Sequence, residues 1–137
     1  MKILSLFHPL FQLIAFLVGA ANARMGLTRK GFTWKSHRNL GLLYYGMSTA
    51  GLIGGLLVND SLEEAGLRLD LDLHLEVGFF MVLLFLLAAI LGFLIHYRPA
   101  LRRALMPIHR YLNLATLLLF VFQGVTGVSA LFRSLLA

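Results

Sequence analysis

Apolar residues run in four long blocks, at 3–23, 40–58, 73–95 and 111–132, separated by polar stretches in which Gly31, Asn59-Asp60-Ser61 and Arg98-Pro99 break the pattern. Each block is about the 20 residues that a helix needs to cross the hydrocarbon core of a bilayer. Adding the flanking turns predicts helices at about 3–26, 38–58, 73–96 and 109–132, with connections of about 15 residues that leave no room for a soluble domain. The expected fold is all-α: one antiparallel four-helix transmembrane bundle spanning residues 1–137.

Composition agrees with lipid as the solvent. The chain is 59% hydrophobic and 13% charged, against about 45–50% and about 25% in a soluble domain, and its mean hydropathy is +0.84. A chain of 137 residues leaves much of its surface exposed, so its apolar residues do not all fit in one water-facing core. Without cysteine, disulfides, thiolate zinc sites, iron–sulfur clusters and thioether-linked haem are all excluded. The first block, with Lys2 before it and Ala21-Asn22-Ala23 after it, has the outline of a secretory signal. His8-Pro9 and Gln12 interrupt what would be its apolar region, so a retained helix is expected.

Charge sets the orientation. The net charge of +6 would suggest nucleic acid in a soluble protein, but nine of the twelve Lys and Arg residues fall in the first and third connections. These are Arg24, Arg29, Lys30, Lys35 and Arg38, then Arg98, Arg102, Arg103 and Arg110. The second connection carries Asp60, Glu63, Glu64, Asp70 and Asp72 against Arg68 alone. By the positive-inside rule the basic loops face the cytoplasm and the termini face outward, as expected for a bacterial inner membrane or a thylakoid-like membrane. Trp34, Tyr97 and Tyr111 stand where aromatic anchors meet the interface. Lipid, rather than nucleic acid, is the expected surroundings.

Ionisable residues inside spans are costly and point to function, which makes the histidines informative. His8, His37, His74 and His109 each open a span, and the residues 18 further on, Gly26, Gly55, Gly92 and Gly127, are all glycine. Eighteen residues make five whole turns, so each histidine and its glycine share a helical face about 27 Å apart. In antiparallel order His8 and His74 share the outer level and His37 and His109 the inner one, opposite the glycines of the other two helices. A flat macrocycle held from both sides by imidazoles, with its edges toward small residues, fits this arrangement. Gly41 and Gly78, one turn beyond His37 and His74, extend the same small face.

The cofactor implied is haem b, two per chain, non-covalent and bis-histidine, in the core of the bundle. Zinc fits less well, because two histidines per level lack a cysteine or a placed carboxylate. Glu76 is the acidic residue that falls within a span, two residues beyond His74. Arg38 and Arg110 follow the inner histidines and suit haem propionates, or serve as ordinary positive-inside charges. His96, 22 residues after His74, lies about 40° off its face. It reads as an interface residue, a propionate or quinone contact, or an alternative to His37 or His109 as ligand. Tyr44, Tyr45, Ser48, Thr49 and Asn113 read as packing and interhelical hydrogen-bond residues, and Met47, Met81 and Met106 as packing rather than axial ligands.

With histidines so placed on four helices, the chain resembles the transmembrane di-haem cytochromes b, including the ascorbate-reducible type. It is also similar to four-helix bacterial and plastid membrane proteins with comparable histidines. The resemblance implies electron transfer across a membrane between a reductant and an acceptor. The flanking helices and substrate-binding basic residues of the ascorbate-reducible type have no match here. The role expected is an electron-transfer subunit of a larger redox or photosynthetic complex, served by a quinone or a soluble cytochrome. The alternatives are a quinone-reactive cytochrome b subunit and a haem-free structural subunit. No nucleotide fingerprint or soluble catalytic domain suggests a substrate reaction of its own.

Overall fold

A computed structural model describes residues 2–64, 66 and 72–136; Arg68 and Asp70 of the acidic loop lie outside the described residues. Four helices account for nearly all of it: α1 (Lys2–Thr28), α2 (Trp34–Glu64), α3 (Asp72–Tyr97) and α4 (Arg102–Leu136). All four contain stretches long and apolar enough to cross a membrane. The protein is an all-α, multi-pass integral membrane protein.

The helices run past the apolar blocks, so the connections are shorter than hydropathy suggests. Five residues, 29–33, join α1 to α2, and Arg98 with the single 3-10 turn Pro99–Leu101 joins α3 to α4. A helix satisfies its own backbone groups, so it continues into the headgroup region where the Arg and Lys side chains reach water. Local chemistry fixes the first connection. Arg29 takes the left-handed conformation (φ 60°) and Gly31 a second positive φ of 65°, and the Arg29 guanidinium lies 4.4 Å over the Phe32 ring. Thr33 then caps α2, its hydroxyl accepting from the Ser36 amide at 3.0 Å.

In the bundle α1 packs most extensively on α2 and α3 on α4, with α2 against α3 and α1 against α4 closing the ring. The diagonals are therefore α1 with α3 and α2 with α4. Leu10, Leu17, Leu83 and Leu118 turn outward, each more than half exposed, as lipid-facing residues do. The centre is occupied by Ala15, Tyr44, Met81, Phe85 and Phe120. Tyr44 meets Phe85 edge-on at 4.6 Å, and Phe120 lies 5.7 Å from Phe16. Packing rather than water exclusion joins helices in lipid, so Phe85→Ala is expected to weaken the bundle by about 2–3 kcal/mol through the cavity it leaves. Reversible unfolding in mixed micelles measures this.

Candidate haem site

Two pairs of imidazoles face one another across the diagonals. His8 of α1 and His74 of α3 have ring centroids 6.4 Å apart at 76°. His37 of α2 and His109 of α4 lie 6.2 Å apart at 75°. One pair sits near each end of the bundle. The two ends repeat one geometry with different residues.

The distant glycines seat the imidazoles themselves. A Cβ at Gly55 would come within 2.9 Å of the His8 ring, one at Gly26 within 3.1 Å of His37, one at Gly127 within 3.0 Å of His74, and one at Gly92 within 3.4 Å of His109. Each ring thus lies against the backbone of the helix adjacent in sequence, and a side chain at Gly55, Gly127 or Gly26 would force the ring to shift. Gly41 and Gly78 serve a different neighbour: their faces meet the carboxamides of Asn22 at 3.1 Å and Gln123 at 3.0 Å. The first-turn glycines therefore accommodate amide side chains.

Hydrogen bonds orient three rings through Nδ1. His8 Nδ1 lies 2.9 Å from the Gly51 carbonyl, and His109 Nδ1 lies 3.1 Å from the Ala88 carbonyl. Both carbonyls are acceptors only, so Nδ1 carries the proton and Nε2 is left with its lone pair. His74 Nδ1 lies 2.9 Å from Thr126 Oγ1, whose own proton is directed at the Gln123 carbonyl at 3.1 Å, leaving oxygen lone pairs for the ring. For His37 the neighbour is the Asn22 carboxamide, whose nitrogen donates to Nδ1 at 2.8 Å and so leaves the ring proton on Nε2, and Phe32 tilts against the ring at 5.3 Å.

The space around the inner pair has the shape of a divided slot. One crevice opens between α2 and α3, where Arg38, Gly41, Tyr45, Ala89 and Phe93 line it together with His37 and His109. The other opens between α1 and α4, beside the same two histidines, and is lined by Gly26, Leu27, Arg110 and Leu114. Tyr44 borders both, buried, with a hydroxyl that has no protein partner. Two imidazoles on one diagonal and open clefts on two opposite sides of the ring of helices suit a planar ligand that fills the clefts and takes the imidazoles on its two faces. Among the described residues, no group of three or more His, Cys, Asp or Glu side chains gathers that could hold a metal ion by itself. A metal between these pairs needs its other ligands from a non-protein group, which is the donor set of haem iron.

Arg38 and Arg110 border opposite crevices, and Arg38 also donates to Asn39 Oδ1 at 3.0 and 3.2 Å. His96 belongs to neither pair: it is exposed and stacks on Trp34 at 4.1 Å and 8°. Glu76 is exposed on α3. The residues that histidine spacing alone does not reveal are Asn22, Gln123 and Thr126. Their signal is amide placement, since α1 and α4 both carry an amide 4 and 14 residues after the histidine: Gln12 and Asn22, Asn113 and Gln123.

No curated protein and no solved structure matches the chain. A family model described as eukaryotic cytochrome b561 matches residues 7–133, a stretch that takes in all four histidines and their glycines. The chain therefore belongs to the cytochrome b561 family, transmembrane haem proteins of electron transport.

Proposed function

We propose that the chain holds two b-type haems per molecule, one between His8 and His74 and one between His37 and His109, and carries electrons across the bilayer. The observation that supports this most directly is the spacing of the imidazole pairs, 6.4 and 6.2 Å between centroids. Two metal–imidazole bonds of about 2 Å, with the ring radii added, account for about 6 Å. Bound haem supplies a one-electron couple at iron.

The chain's own residues do the rest. His8, His74 and His109 would bind through Nε2, with the Gly51 and Ala88 carbonyls and the Thr126 hydroxyl holding Nδ1–H and the ring planes of His8, His109 and His74. His37 would do so in its other tautomer, since Asn22 donates to its Nδ1. Arg38 and Arg110 offer positive charge beside the inner crevices for carboxylates. The buried cluster of Tyr44, Phe85 and Phe120 excludes water between the levels.

The basic loops face the cytoplasm and the acidic loop and termini face outward, in a bacterial inner membrane or a thylakoid-like membrane. The chain acts as an electron-transfer subunit of a larger redox or photosynthetic complex, exchanging electrons with a quinone or a soluble cytochrome. The test is a reduced-minus-oxidised spectrum of the protein purified from its native membrane, with a pyridine haemochrome count. Low-spin b-type bands and two haems per chain are expected. One haem per chain would remove one level, and none would overturn the reading in favour of a structural subunit.

A further inference from the structure

The two ends of the bundle are related by more than histidine spacing. In α1 the series is His8, Gln12, Asn22, Gly26, and in α4 it is His109, Asn113, Gln123, Gly127: a histidine, an amide after 4 residues, a second after 14, and a glycine after 18. In α2 and α3 the same offsets carry His37, Gly41, Gly51, Gly55 and His74, Gly78, Ala88, Gly92, with small residues wherever the other two helices carry amides. Since α1 and α4 run in opposite directions, this pattern makes the outer end an inverted copy of the inner end.

The contacts obey the same inversion. Asn22 of α1, with its amide turned toward α2, donates to the His37 carbonyl at 3.0 Å and accepts from the Gly41 amide at 3.3 Å. Gln123 of α4 donates to the His74 carbonyl of α3 at 2.7 Å and seats against Gly78. Asn22 also reaches its ring directly, and Gln123 reaches its ring through Thr126. The same Asn22 nitrogen donates to His37 Nδ1 at 2.8 Å, and the Gln123 carbonyl and side-chain oxygen accept at 3.1 and 3.3 Å from the Thr126 hydroxyl that meets His74 Nδ1. Asn22 is buried. An amide of this kind, on the backbone and the ring contact of one ligand, controls where that imidazole points.

We infer that Asn22 and Gln123 are equivalent positioning residues, each setting the histidine of one level from the neighbouring helix: Asn22 sets His37 at the inner level and Gln123 sets His74 at the outer. The inference rests on the two-haem reading above. Its consequence is separability, because each amide touches one member of one pair.

The test compares full-length Asn22→Leu and Gln123→Met with the unaltered chain, variants that keep side-chain bulk and remove the hydrogen bonds. Haem count, the absorption bands and the midpoint potential of each level are read, the levels being identified by their loss in His109→Ala and His74→Ala. Asn22→Leu is expected to weaken retention at the His37–His109 level by about tenfold and to move its band and potential, leaving the other level unchanged. Gln123→Met is expected to do the reverse. If either bundle fails to assemble, Asn22→Gln and Gln123→Asn, which keep the carboxamide but displace it by one methylene, carry the same expectation. Two haems in the unaltered chain with shifts that are absent, or equal at both levels, would overturn the positioning role and leave the haem reading standing. An unaltered chain without haem removes both.

Discussion

His74→Ala is expected to leave one haem per chain, the level that survives being the one between His37 and His109. The expectation follows from the diagonal pairing, since His74 faces His8 at 6.4 Å while the inner pair stands at the other end of the bundle. Alanine removes the ligand nitrogen and leaves a space against Gly127, whose face the ring covered. With one axial imidazole lost, affinity at that level is expected to fall by 100-fold or more, about 2.8 kcal/mol at 1.4 kcal/mol per tenfold. His109→Ala does the same to the inner level. The combination His8→Ala with His37→Ala, one ligand from each pair, is expected to strip both levels. A haemochrome count of one in that double variant would contradict the pairing, as would loss of both haems in either single variant.

Gly127→Leu abolishes the outer site without touching a ligand, whereas Gly124→Leu, one turn away on the same helix, leaves both sites intact. At Gly127 even a Cβ would approach the His74 ring to 3.0 Å, and three further carbons have nowhere to go but into the imidazole's place. At Gly124 nothing lies within 4 Å of the added carbon, and the position is exposed. The contrast separates steric displacement from any effect on α4 as a helix, because glycine replacement in a helix interior favours the helix by up to about 1 kcal/mol at either position. Outer-level haem is therefore expected to fall from full occupancy to near zero in Gly127→Leu, while Gly124→Leu unfolds no earlier than the unaltered chain. Haem counts and micelle unfolding curves measured side by side decide it. Normal outer-level binding in Gly127→Leu would mean that the glycine is not the seat of the ring.

The helices were legible because lipid imposes length and apolarity on any span, and the blocks at 3–23, 40–58, 73–95 and 111–132 carry both. Their ends were not, since a helix leaving the membrane no longer needs apolar side chains. Trp34–Asn39 and Arg102–Arg110 are helical without being apolar throughout. The histidine levels were legible because five whole turns return a residue to its own face.

Alone, the sequence determined the number of spans, the charge asymmetry of the loops and the grouping of four histidines into two levels, all of which follow from periodicity along one helix. Only the tertiary structure decided what each small residue is for. Gly26, Gly55, Gly92 and Gly127 receive imidazoles, while Gly41 and Gly78 receive the amides of Asn22 and Gln123. It also set His96 on Trp34, apart from both pairs. Those assignments depend on which helix is the neighbour and how far it is rotated, and a periodicity that fixes the face of one helix carries no information about the face opposite it.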